Sequence, residues 1–174
     1  MATSGITTIL RNELKKMSHE ELVVRQGIMV VGVDGSPSSM AAFHWAGKNA
    51  SALNLRIKAI CAWNTINFAA EMISIGFGSS GFTDMTNPEE IAKKILEATA
   101  GEVFATSRPL DLELISSEGN PTEVLLEASK GAQMLVLGSR GHGSLVDLIL
   151  GSVSDACCAK AKCPVLVVHE GIYV

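Results

Sequence analysis

Glycines and hydroxyl side chains, more than acids and bases, carry the chemistry this sequence offers. Residues 138–143 read Gly-Ser-Arg-Gly-His-Gly, and residues 151–154 read Gly-Ser-Val-Ser. Gly138, Gly141 and Gly143 allow a tight loop whose backbone approaches a ligand with no Cβ in the way and turns amides toward anionic oxygens. Gly151, Ser152, Val153 and Ser154 have the composition of a helix start, where unsatisfied amides and the positive end of the helix dipole favour negative charge. The Ser152 and Ser154 hydroxyls add donors, and a polyphosphate would fit between loop and helix start. A solvent loop followed by a serine-capped helix has the same composition, so the glycines alone leave both readings open.

A second group closes the first apolar run: Gly32, Val33 and Asp34, followed by Gly35 and Ser36. Asp34 is either a polar contact for a ligand or a turn aspartate. Arg140 is either a phosphate partner or a solvated loop arginine, and His142 either a phosphate donor or a surface histidine. His44 and His169 have no metal-like spacing with each other or with Cys61, and Cys157, Cys158 and Cys163 lack paired Cys-x-x-Cys spacing. Small, buried, reduced thiols are the expectation. Trp45 and Trp63 read as core or pocket-wall residues. No Gly-x-x-x-x-Gly-Lys-Ser/Thr loop is present, and no base with an orienting partner is evident, which weighs against an ATPase.

The elements that must position these residues follow from periodicity and punctuation. The apolar run 28–33 reads as a strand covered on both faces, 55–62 as a second strand, 133–137 and 165–168 as further apolar strands, and 110–116 as an alternating one. Ser36-Pro37, Asn87-Pro88 and Asn120-Pro121 are cap-then-proline openings for helices over 38–52, 88–105 and 121–130, and a fourth helix spans 152–162. Residues 13–25 look helical with a thin apolar face, and 63–86 is the least regular stretch. Strands alternating with helices predict an α/β fold: an open five-stranded parallel sheet of order 3-2-1-4-5 with helices on both faces. That order makes strands one and four neighbours at the reversal point, where ligands bind beyond the carboxyl ends of strands. The expected division is an N-terminal extension, 1–26, and one domain, 27–174.

The 174 residues suit a single core; 47% are hydrophobic, 18% are charged, and the net charge is -4. An acidic chain gains nothing from a phosphate backbone, so nucleic acid is not an expected partner. No apolar run reaches the ~20 residues of a membrane-spanning helix. Arg11, Glu13, Lys15 and Lys16 interrupt any secretory pattern, so a soluble cytoplasmic protein is expected.

Taken together, Gly138, two residues, Gly141, nine residues, Gly151 and Ser152, then Cys163-Pro164 and the run 165–168, resemble the nucleotide-binding branch of the universal stress protein family. The resemblance covers 27–170, with Val30-Val31-Gly32-Val33-Asp34-Gly35-Ser36 as the family's first strand and turn. It implies ATP, ADP or AMP as ligand, with Mg²⁺ arriving on the phosphates and completed by serine hydroxyls or water. By the same resemblance Asp34 would contact adenosine, with Gly32 and Val33 lining its pocket and the Ala62 backbone meeting the adenine edge. Leu137, Gly138 and Gly141 would flank ribose and the first phosphates; Gly151, Ser152, Val153 and Ser154 would hold the phosphate tail. It implies a regulatory module of the stress response, homodimeric through the apolar edge strand 165–168. A slow ATPase or nucleotidyl-transferring enzyme of the same fold, and a nucleotide-free dimeric interaction protein, are the alternatives.

Overall fold

The structure, a computed structural model, describes residues 27–64, 87–105, 108–109, 111–141 and 150–171. Strands and helices alternate through them: β1 Gly27–Gly32, α1 Pro37–Asn49, β2 Leu55–Trp63, α2 Pro88–Val103, β3 Glu113–Glu118, α3 Pro121–Ala128, β4 Met134–Gly138, α4 Ser152–Lys160 and β5 Val165–Val168. Every pair of neighbouring strands is parallel, in the order β3-β2-β1-β4-β5, as the expected topology requires. Central β1 sets Val31 opposite Ala59 on one side and Val136 on the other. The expected helix at 13–25 and nearly all of the irregular stretch 63–86 lie outside the described residues.

Continuous apolar runs are needed because both faces of the sheet are covered. Met29, Val31 and Val33 pack with Ala42, Phe43 and Ala46 of α1 and Ala92, Leu96 and Ala100 of α2. Val30, Ile60, Leu135 and Leu137 pack the other way, against Leu125 of α3 and Cys157 of α4. The alanines let α1 lie close to the sheet, and Phe43 meets Phe104 edge to face at 5.4 Å. Among the described residues no helix is long and apolar enough to cross a membrane.

The cap-then-proline openings behave as expected. Asn87 Oδ1 accepts the Glu89 amide at 3.1 Å, and Asn120 Oδ1 accepts those of Thr122 and Glu123 at 3.0 and 3.4 Å. Boundaries shift where turns intervene. β3 begins at Glu113, not at 110, because the Leu112 amide folds back onto the Pro109 carbonyl at 3.3 Å; pairing starts where Glu113 meets Lys58. The alternation still separates the faces: Leu112, just before the strand, and Leu114 within it pack on the α1–α2 side, and Ile115 on the α3–α4 side. α1 ends at Asn49, because Asn54 takes a left-handed φ of 55° and the Leu55 amide returns to the Ala50 carbonyl at 2.8 Å. α3 stops at Ala128 and turns through Gly131, φ 76°.

Candidate functional site

The carboxyl ends of β1 and β4 lie side by side where the strand order reverses, so the chains leaving them form the two walls of one crevice. On the β1 side, Gly35 (φ 83°) turns the chain and Asp34 Oδ1 accepts the Ser36 amide at 2.9 Å, an aspartate turn. On the β4 side, Ser139 is held from two directions. Its amide donates to the Val168 carbonyl and its carbonyl accepts the Gly151 amide, both at 2.8 Å. The walls touch, since a Cβ built on Gly141 would stand 2.7 Å from Asp34 Oδ2.

The start of α4 completes the crevice. α1, α2 and α3 each have a side-chain cap, from Ser36, Asn87 and Asn120. At α4 the capping residue is Gly151, and among the described residues no side chain caps the first-turn amides. Ser152 is exposed, whereas Ser154 is buried and its hydroxyl donates to the Gly138 carbonyl at 2.6 Å, pinning α4 to the end of β4. Open main-chain amides at the positive end of a helix, beside a small-residue loop, suit an anion. Among the described residues no group of three or more His, Cys, Asp or Glu side chains is placed to hold a metal ion.

Residues 27–169 match the sequence pattern of the Universal stress protein family. The chain belongs to this family. It is 31% identical over 153 residues to a universal stress protein of Mycobacterium tuberculosis (strain ATCC 25618 / H37Rv), covering 82% of this chain and 48% of that one. The chain thus spans about half the length of the curated relatives it matches. A universal stress protein crystallised in complex with cAMP superposes with a TM-score of 0.60 at 26% identity, over 84% of this chain and 98% of the other. UspA from Lactobacillus plantarum shares the fold at a TM-score of 0.64 and 23% identity, over 83% and 99%.

In this member of the family the crevice gathers Asp34, Gly138, Arg140, Gly141, Gly151 and the first turn of α4. Gly32, Val33 and Leu137 are buried beneath it: Val33 packs on the α1–α2 side and Leu137 on the α3–α4 side, so main chain is what they can present. Ala62 lies one residue before the end of β2, one strand further over, opposite Ser117. His142 and Gly143 lie outside the described residues.

Gly138 acts differently from the open approach expected of it. At Gly138 the space of a Cβ is already filled by the first turn of α1, with Ser38 C, Ser38 Oγ and Ser39 N all 2.6 Å away. Sequence reasoning treated Ser36 only as a cap and passed over Ser38 and Ser39. All three are buried, and the hydroxyls of Ser36 and Ser38 donate to the Arg140 carbonyl. The signal was present in the run Ser36-Pro37-Ser38-Ser39, which carries more hydroxyls than a helix cap uses.

The cysteine expectation holds for Cys61 and Cys157, which are buried, but not for exposed Cys158, which a turn of α4 directs outward; Cys163 is half-buried. Burial raises the Cys157 thiol from 9.0 to about 11, with smaller contributions from Cys158 and Cys163.

Proposed function

We propose that this universal stress protein binds an adenine nucleotide in the crevice between the ends of β1 and β4, with its phosphates at the start of α4. The observation that carries the reading is the α4 start itself: its amides have no side-chain cap, and they lie beside the 139–141 loop, which abuts Asp34. The family member solved with cAMP supports an adenine nucleotide as the class of ligand. Asp34 and the backbone of Gly32, Val33 and Ala62 would take the adenosine. Leu137, Gly138, Arg140, Gly141, His142 and Gly143 would surround ribose and the first phosphates, and Gly151, Ser152, Val153 and Ser154 the tail. ATP, ADP and AMP all suit such a site. Mg²⁺, where it takes part, would be held by the phosphates and the exposed Ser152 hydroxyl, a hard-oxygen environment.

Binding that favours one conformation or assembly would make the chain a regulatory module of a cytoplasmic stress response, working as a homodimer through β5. Two measurements test the nucleotide reading. Small molecules released from denatured, freshly purified protein should include an adenine nucleotide by mass spectrometry. Titration calorimetry with ATP and AMP should give binding to the wild type and little to Gly151→Val, whose branched side chain covers the amides. Equal binding by the two proteins would put the ligand elsewhere.

A further inference from the structure

Two of the three buried serines at the start of α1 are not needed to begin a helix, and we propose that one of them, Ser38, is a positioning residue that sets loop 139–141 against the Asp34 turn for nucleotide binding. The inference rests on the nucleotide reading of the crevice and adds to it what holds the crevice in shape.

Ser36, Ser38 and Ser39 are 3%, 4% and 4% exposed. Hydroxyls so buried need partners, and where those partners lie is informative. Ser38 Oγ donates to the Arg140 carbonyl and accepts the Arg140 amide at 3.3 Å, so one hydroxyl brackets the main chain of one residue from both sides. Ser36 Oγ donates to the same carbonyl at 3.2 Å while accepting the Ser39 amide at 3.3 Å. Ser39 Oγ donates to the Ser36 carbonyl at 2.9 Å and accepts the Asp34 amide at 3.4 Å. With the Ser36 amide on Asp34 Oδ1, the chain of bonds runs unbroken from Asp34 through the serines to Arg140.

A helix cap uses one such hydroxyl, and Ser36 supplies it. Ser38 reaches 102 residues along the chain, to a loop that is exposed at Arg140 and Gly141 and outside any strand. Such a loop is free to wander unless something fixes its backbone, and a site fixed before the ligand arrives loses less freedom on binding. Ser38 is admitted because residue 138 has no Cβ. Ser129 gives a contrast: equally buried, its hydroxyl donates to Leu126 O within its own turn of chain, at 2.8 Å.

The test uses the full chain, with Ser38→Ala, Ser38→Cys and Ser129→Ala compared with wild type by calorimetric titration with ATP and AMP. Amide hydrogen exchange is followed in the nucleotide-free proteins. Wild-type Arg140 should exchange slowly without nucleotide. Both Ser38 variants should weaken ATP and AMP alike by about tenfold, as loss of one buried hydrogen bond implies, and should speed Arg140 exchange. Ser129→Ala should lower the melting temperature yet bind as the wild type does. Fast Arg140 exchange in the wild type overturns the proposal even if both Ser38 variants fail to fold. So does wild-type affinity in a folded Ser38 variant when the wild type itself binds. A wild type that binds neither nucleotide removes the nucleotide reading first, and the role of Ser38 in binding with it.

Discussion

Where Gly141 faces Asp34, one absent carbon decides whether the two walls of the crevice can meet. A methyl there would come within 2.7 Å of Asp34 Oδ2, the end of an exposed side chain that can swing away. Gly141→Ala should therefore leave stability within about 0.5 kcal/mol of wild type, the usual range for surface changes, while weakening nucleotide binding by displacing the carboxylate. Gly138→Ala should instead destabilise the fold, because its methyl meets the backbone of the first turn of α1, which cannot swing. It should cost about 1–3 kcal/mol in urea unfolding, the range for overpacking. Equal effects of the two changes on stability would contradict this division. Cys157 adds a pH dependence. Its folded pKa of about 11 lies above the ordinary 9.0, so the folded state keeps a proton that the unfolded chain loses. Its contribution is intact below about pH 9 and is lost as pH rises toward about 11, by on the order of 2 kcal/mol in all. Cys157→Ala should lower stability by a constant amount at neutral pH and flatten the decline over that window, measured by urea unfolding at each pH.

At the scale of elements, the four described helix starts divide by how they are capped. Ser36, Asn87 and Asn120 close their helices with side-chain oxygens, and Gly151 leaves its own to be closed by something else. Gly151→Asp tests this with two readouts of opposite sign. A Cβ there meets only ordinary contacts, 3.4 Å from Arg140 Cα, so the carboxylate can cap α4 and raise the stability of the nucleotide-free protein by about 0.3 kcal/mol, the few tenths that separate aspartate from glycine at a cap. The same carboxylate occupies the amides and repels phosphate, so ATP affinity should fall, an effect larger than the small gain in stability. A variant that melts higher and still binds ATP normally would separate α4 from the phosphates. This scale is also where the sequence was most readable. Both-face burial wrote the apolar runs of β1 and β4, and the cap-proline pairs fixed three helix starts. What stayed hidden depended on turns: the Pro109–Leu112 hydrogen bond that delays β3 and the left-handed Asn54 that ends α1. The meeting of 34 with 141 followed from strand order alone; the surplus hydroxyls of 36–39 hinted at a second task, but their partner Arg140 lies 102 residues from Ser38 and nothing local names it.

At the scale of the whole molecule, β5 ends the sheet next to β4, and among the described residues no strand pairs with its far side. The Val168 and Pro164 carbonyls accept from Ser139 and Leu135 at 2.8 and 2.9 Å, so even-numbered residues of this strand direct their backbone polar groups toward β4. Alternation then aims the amide and carbonyl of Val165 and Val167 at the open edge, a row that invites a second strand. Val165, Leu166 and Val167 are each only half-buried, leaving apolar surface for a second copy. Val167→Pro removes one outward amide and no bond to β4, and proline is tolerated on a sheet edge in that orientation. If two copies pair through β5, light scattering at micromolar concentration should give a dimer for the wild type and a monomer for Val167→Pro. The far-ultraviolet circular dichroism of the two should match, and melting of the wild type alone should depend on protein concentration. A variant that stays dimeric would move the interface off β5, and a monomeric wild type would leave that edge bare.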